Sequence, residues 1–109
     1  MEKLFCVSGK LDLNKKIVIF GTGNHAKEIF AELLHYGIKI DYFADRNVNL
    51  IGLKLYGIEI ISEESLKNID CQIIIASTAW KEIEKRLLNM GKKDIFVDTG
   101  RFLGMSVEL

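Results

Sequence analysis

An apolar run that ends in a glycine-rich turn and continues as a helical pattern constrains this chain more than any other feature. Residues 17–20 read Ile-Val-Ile-Phe, and three of the four are β-branched. Such runs are typical of strands that are buried on both faces of a parallel sheet. The segment Gly21-Thr22-Gly23 interrupts the run, and an amphipathic helical pattern then covers residues 24–36 and stops at Gly37. The sequence therefore predicts a buried strand, a tight turn and a helix in direct succession.

The rest of the chain repeats the alternation of strand and helix. Residues 46–57 are expected to form a loop with a short strand at residues 53–56. Further strands are predicted at residues 38–44, 58–61, 72–76 and 95–97. A short helix is predicted to begin at residues 62–64, and a longer one covers about residues 79–90. The alternation predicts an α/β fold, a small Rossmann-like three-layer domain. Its mostly parallel sheet would have about five strands in the order 3-2-1-4-5, with the two continuous apolar runs side by side.

The turn after the first strand has the pattern G-x-G-x-x-A, from Gly21 to Ala26. Gly21 permits a sharp exit from the strand, Gly23 lets a phosphate approach the backbone, and Ala26 lets the helix pack closely on the sheet. The N–H groups and the dipole at a helix N-terminus attract anions. The turn therefore predicts a phosphate site, and the alternative is a tight turn without a ligand.

Asp45, at the end of the second strand, is the candidate partner for ribose hydroxyls or for a base. Arg46 could suit a 2′-phosphate, and Ser77 and Thr78 follow the strand on the other side of the expected switch point. Each has a structural alternative: a turn residue for Asp45, an exposed loop residue for Arg46, and helix caps for the two hydroxyls. The ten candidate nucleotide-binding residues are Gly21, Thr22, Gly23, Asn24, His25, Ala26, Asp45, Arg46, Ser77 and Thr78.

Composition narrows the class of protein. The 109 residues carry 15 basic and 15 acidic side chains, so we expect neither nucleic acid nor an anionic membrane as a partner. No apolar run approaches the roughly 20 residues of a membrane span. The two cysteines make neither a disulfide framework nor a zinc site, which favours the cytoplasm. No catalytic constellation and no metal site is found, so we expect that the chain is not an enzyme on its own.

The segments IVIFGTGNHAKEI, DYFAD, YGIEII and IIIAS together resemble a known family. They are similar to the N-terminal nucleotide-binding domain of bacterial sugar O- and N-acyltransferases and of nucleotide-sugar dehydratases and epimerases of surface-polysaccharide pathways. The resemblance covers about residues 16–100. It implies a UDP-sugar ligand, with the phosphate turn at Gly21–His25 and the nucleoside acid at Asp45. The chain has no hexapeptide repeat, so the resemblance implies binding rather than acyl transfer.

We therefore predict an N-terminal extension at residues 1–15, as an edge strand or an arm, and a Rossmann-like nucleotide-binding domain at residues 16–109. The predicted function is binding of a UDP-sugar or a related nucleotide-sugar. The alternatives are an NAD(P)-binding domain, as an enzyme fragment or a redox sensor, and a structural or oligomerisation domain without a ligand. The expected partners are a small nucleotide and either a second copy of the chain or a separate catalytic domain.

Overall fold

The two continuous apolar runs form the two central strands of the sheet. The computed structural model describes residues 11–97. Strand β1 (Lys16–Phe20) pairs in parallel with β5 (Cys71–Ile75), and Val18 lies opposite Ile73. Every residue of β5 and all but the first of β1 are buried, as expected for strands that are covered on both faces. The adjacent placement of these two strands confirms the sequence prediction.

The sheet has six strands in the order β3-β4-β2-β1-β5-β6. Strands β2 (Tyr42–Asp45), β4 (Ile58–Ser62) and β6 (Ile95–Val97) extend the two central strands in parallel. Without β3, the order is the predicted 3-2-1-4-5. The chain therefore reverses its direction of travel between β1 and β5, where α/β folds place ligands.

Strand β3 (Lys54–Leu55) is the addition to the predicted sheet, and it pairs antiparallel with β4. The two strands are joined by Tyr56 and Gly57, whose φ angles are +54° and +79°. Two successive positive φ angles are what a two-residue hairpin of the type I′ class needs. The segment that the sequence indicated as a loop with a short strand thus forms a hairpin at the edge of the sheet.

Helix α1 (Asn24–His35) covers one face of the sheet. Its side chains Ala26, Ile29 and Leu33 are fully buried against that face. The helical spacing of Ile29, Phe30, Leu33 and Leu34 predicts one apolar face, but Leu34 is 57% exposed. Successive residues of a helix are about 100° apart around its axis. The residue after a fully buried one can therefore point away from the sheet into solvent.

Helix α2 (Trp80–Asn89) and a 3-10 helix (Glu64–Asn68) cover the other face and complete the three predicted layers. The spacing of Trp80, Ile83, Leu87 and Leu88 predicts an apolar stripe on α2, but Leu88 is 53% exposed for the same geometric reason as Leu34. The buried side chains that these two helices contribute are Leu66, Ile83 and Leu87.

Strand β2 begins at Tyr42, later than residue 38, where the sequence pattern starts. Asp41 occupies the position before the strand. Its N–H donates to the carbonyl of Ile17 at 2.8 Å, and its Oδ2 accepts from the N–H of Ile17 at 2.9 Å. The carboxylate of Asp41 thus takes the place of a backbone acceptor and joins the start of β2 to β1.

The segment before β1 is held by a side-chain amide. Gln72, a buried polar residue of β5, accepts from the N–H of Asp12 at 2.7 Å and donates to the carbonyl of Asp12 at 2.8 Å. Most of the predicted extension, residues 1–10, lies outside the described residues. No helix within residues 11–97 is long and apolar enough to cross a membrane.

Candidate functional site

The turn that leaves β1 is wedged between the two neighbouring strands. Gly21 has a φ of +124°, and its N–H donates to the carbonyl of Ala44 at 2.8 Å. The N–H of Ala76 donates to the carbonyl of Phe20 at 2.9 Å. A Cβ at position 21 would lie 2.7 Å from the carbonyl oxygen of Ala76. Glycine is therefore required at this position by both the backbone conformation and the available space.

The second glycine lies in open space. Gly23 is the N-cap of α1, and no side chain donates or accepts a capping hydrogen bond there. A Cβ at Gly23 would have no neighbour within 4 Å among the described residues. The first turn of α1 contains no acidic residue, and Ala26 packs against the sheet with no exposed surface. The positive end of the helix dipole is therefore accessible to a phosphate.

Asp45 ends β2 beside this turn and is held by two hydrogen bonds. Its Oδ2 accepts from Oγ1 of Thr22 at 2.8 Å, and its Oδ1 accepts from the N–H of Asn47 at 2.9 Å. A carboxylate offers about four acceptor positions, so further acceptor capacity remains for the hydroxyls of a ligand. The bond from Thr22 joins two of the predicted site residues directly and fixes the acid relative to the turn.

Two arginines and a glutamate meet next to Asp45. Arg86 of α2 donates from Nε and Nη2 to Oε2 and Oε1 of Glu63 at 2.9 and 3.0 Å. Nε of Arg46 lies 3.7 Å from Oε1 of Glu63. The hydrogen bond to Glu63 raises the pKa of Arg86, and partial burial opposes this increase.

Sequence reasoning missed Glu63 and Arg86 as residues of this site. On sequence alone, Glu63 is an acid that suits the positive end of a helix, and Glu82 is the expected partner of Arg86, four residues later on the same helix. Arg86 instead makes its hydrogen bonds to Glu63, which lies 23 residues away in sequence. The signal that could have indicated Glu63 is its place directly after β4, because the carboxyl ends of parallel strands share one edge of the sheet.

Two cavities open at this edge of the sheet. One, of about 220 Å³, lies between the turn and α2 and is lined by Gly21, Asp45, Ser77 and Arg86 among others. The second, of about 300 Å³, lies towards β4 and is lined by Val48, Ile51 and Glu63 among others. Asp45, Arg46 and Arg86 border both cavities. Both cavities thus lie beside the carboxyl ends of the strands, where the sequence predicts a ligand crevice.

The remaining predicted site residues differ in their environment. Oγ of Ser77 accepts from the N–H of Ala79 at 3.0 Å, so this hydroxyl organises the turn before α2 while it lines the smaller cavity. Thr78 and Asn24 are exposed, and His25 is half-buried in the first turn of α1. Among the predicted side chains, Asp45, Arg46 and Ser77 line the cavities, and Thr22 reaches them through its hydrogen bond to Asp45.

Solved structures with a similar fold bind nucleotides. UDP-D-quinovosamine 4-dehydrogenase from Vibrio fischeri is 21% identical, with a TM-score of 0.59 and coverage of 76% of each chain. The Rex-family repressor RSP in complex with β-NADH is 25% identical, with a TM-score of 0.57. That match covers 88% of this chain but 52% of the repressor, so the chain spans about half of its length. No curated protein matches the sequence.

The expectation that a protein of this kind has no nucleic acid partner is wrong. RSP is also solved in complex with β-NAD+ and operator DNA, at 19% identity, a TM-score of 0.56 and coverage of 95% of this chain and 65% of the repressor. A net charge of zero is a sum over the whole chain, and it carries no information about local surfaces or about further domains. Charge balance is therefore no ground for excluding nucleic acid.

The family comparison agrees with the fold. The model of the family described as C2185-like, N-terminal, matches residues 13–96, which include both central strands, the glycine turn and the crevice. This chain therefore belongs to the C2185-like N-terminal family.

Proposed function

We propose that this chain is a nucleotide-binding domain that holds the phosphates of its ligand at the turn from Gly21 to Ala26. The open, uncapped N-terminus of α1 at Gly23 is the observation that carries the proposal. Backbone N–H groups and the helix dipole at such a terminus stabilise a phosphate. The donors belong to the backbone, so they need no side-chain rearrangement when the ligand binds.

The nucleoside would lie beside Asp45. The carboxylate is held by Thr22 and by the N–H of Asn47, and it keeps acceptor capacity for the hydroxyls of a ribose. The smaller cavity extends from Gly21 past Asp45 to α2 and offers space on the base side of the ribose. The residues present thus fit a nucleotide, with the phosphate at the turn and the ribose at Asp45.

Two ligand classes meet these requirements. A UDP-sugar is the ligand that the resemblance to bacterial sugar-modifying proteins implies, and a role in surface-polysaccharide metabolism stays a prediction on that basis. NAD(H) is the second candidate, favoured by the likeness to RSP, which is solved with β-NADH at 25% identity. In both cases the chain supplies binding, and its partner in any reaction would be a catalytic domain.

Calorimetric titration of the chain with UDP, UDP-N-acetylglucosamine, NAD+ and NADH tests the proposal. We expect one of these ligands to bind, and a UDP compound to bind more tightly than NAD+ or NADH. A preference for NAD+ or NADH would replace the first ligand class with the second. Absence of binding by all four compounds would leave a structural domain and refute the proposal.

The variant Gly23→Val locates the ligand. A branched side chain at position 23 fills the open space where the phosphate would lie, so binding should be lost while the fold is retained. Lys93→Val is a suitable control, because Lys93 is exposed and precedes β6 at the opposite edge of the sheet. Unchanged affinity in Gly23→Val would show that the ligand binds elsewhere.

A further inference from the structure

Three charged side chains from three different elements meet between the two cavities. Glu63 follows β4, Arg46 follows β2, and Arg86 lies in the second half of α2. Arg86 makes a two-point hydrogen bond with Glu63, and Arg46 lies within ion-pair distance of the same carboxylate. The side chain of Glu63 is only 15% exposed and that of Arg86 32%, so water screens their interaction less than the contact with Arg46, whose side chain is 67% exposed. One carboxylate therefore engages both guanidinium groups.

The charges around the smaller cavity are already balanced before a ligand enters. Arg46 and Arg86 line this cavity together with Asp45 and Glu82. When Glu63 is included, two guanidinium groups face three carboxylates. A phosphate on the ribose would have to compete with Glu63 for the arginines while it approached Asp45, and like charges at short distance repel strongly. A ribose hydroxyl instead can donate to Asp45 without disturbing the arginines.

We propose that Glu63 is a specificity-determining residue of this site. By holding Arg46 and Arg86, it makes the nucleoside end of the crevice accept a free ribose hydroxyl and reject a ribose phosphate. This inference rests on the proposed nucleotide site. It also changes the role expected for Arg46. This arginine directly follows Asp45, and on sequence grounds alone it could bind a 2′-phosphate. Glu63 already pairs with the guanidinium groups whose positive charge such a phosphate would need.

The test compares two adenosine probes that differ in one phosphate, 5′-ADP and adenosine 2′,5′-bisphosphate. Calorimetry on the wild-type chain should show about tenfold or greater preference for 5′-ADP, in line with the cost of placing like charges together. In Glu63→Gln, both guanidinium groups lose the carboxylate that they contact, and Asp45 and Glu82 remain as the acidic side chains of the cavity. We expect the affinity for adenosine 2′,5′-bisphosphate to rise about tenfold or more in this variant.

Two further variants show whether the increased affinity of Glu63→Gln for adenosine 2′,5′-bisphosphate comes from the released arginines. Glu59→Gln makes the same change of charge on β4, the strand that Glu63 follows, at an exposed residue that lines neither cavity. It should leave the affinity for both probes at the wild-type value. The double variant Glu63→Gln with Arg86→Gln should lose the gain, because one of the two released guanidinium groups is then absent.

The outcomes separate this inference from the proposed function. If adenosine 2′,5′-bisphosphate binds Glu63→Gln no more tightly than the wild type, the role of Glu63 is refuted, even where UDP or NAD+ binds normally. If no nucleotide binds the wild type or if Gly23→Val binds as well as the wild type, the proposed site itself is refuted. The wild-type preference needs no variant, so a wild-type chain that prefers the bisphosphate overturns the inference even if Glu63→Gln fails to fold.

Discussion

The two glycines of the turn have different tasks, although the sequence pattern treats them alike. Gly21 is confined by the neighbouring strand, since the carbonyl of Ala76 lies where a Cβ would be. Gly23 has a φ of −88°, which any residue can adopt, and a Cβ there would meet no atom within 4 Å among the described residues. Gly21 is therefore needed for folding, whereas no packing or backbone constraint requires glycine at position 23, where we propose that a ligand approaches.

Substituting alanine at each position should separate these tasks. Gly21→Ala combines a strained backbone with a contact that is too short, and we expect a loss of more than about 2 kcal/mol in the free energy of unfolding. Gly23→Ala should change that free energy by less than about 1 kcal/mol, the scale of an N-cap change. Urea unfolding of both variants measures the difference, and equal losses would contradict the assignment of tasks.

Asp45→Asn should weaken nucleotide binding because the amide is a poorer acceptor for ribose hydroxyls than a carboxylate. We expect about a tenfold loss of affinity for UDP, the value of one charge-assisted hydrogen bond. The loss should disappear with 2′-deoxy-UDP if the 2′-hydroxyl is the donor. Calorimetry with both ligands on both chains gives the comparison. An equal loss with the two ligands would place the carboxylate away from the 2′-hydroxyl.

At the scale of elements, local patterns predicted β1, β5, α1 and α2 because each depends on its own sequence of apolar residues and turns. The three layers and the order of the five parallel strands followed from the alternation of those elements. The short strand expected at residues 53–56 is present as β3, but its antiparallel pairing with β4 was hidden, because two residues are too few to show a period. The partners of Glu63 were equally hidden, because they depend on how the 3-10 helix and α2 lie side by side on the same face.

The 3-10 helix is held at its end by a lysine from beyond α2. Nζ of Lys92 donates to the carbonyls of Leu66 at 2.9 Å and Ile69 at 2.5 Å. Lys92→Met should remove both bonds while keeping the apolar stem. We expect it to lower the free energy of unfolding by about 1–3 kcal/mol and to speed hydrogen exchange in residues 64–69.

Lys67→Met is the matched control for that prediction. Lys67 lies on the same 3-10 helix, and its ion pair with Glu64 is on the surface, where such pairs contribute about 0–1 kcal/mol. Similar losses of unfolding free energy in the two variants would show that the hydrogen bonds from Lys92 to the two carbonyls do not stabilise the 3-10 helix.

For the whole molecule, the buried thiol of Cys71 connects stability to pH. Cys71 is 3% exposed at the start of β5, and burial raises its pKa. The folded chain therefore retains a proton that the unfolded chain releases at alkaline pH. The stability that this group contributes is complete below the pKa of the unfolded thiol, about 8.5, and falls as the pH rises above it.

Urea unfolding at pH 7.5 and pH 9.5 tests the prediction, in a Cys6→Ser background that leaves Cys71 as the remaining thiol. We expect the free energy of unfolding to fall between these pH values by more than it falls in the variant that also carries Cys71→Ala. Identical pH dependence of the two proteins would show that the thiol ionises equally in the folded and unfolded chains.

The pairing of β1 with β5 also determines how late in translation the glycine turn can form. Lys16 lies opposite Cys71, and the turn at Gly21 packs against Ala76. The ribosome makes the glycine turn early, but the strand that supports it emerges only after most of the chain has been translated, and distant pairings of this kind form slowly. The glycine turn of a nascent chain therefore lacks the strand that supports it, and the turn can take up its final conformation only after translation has passed β5.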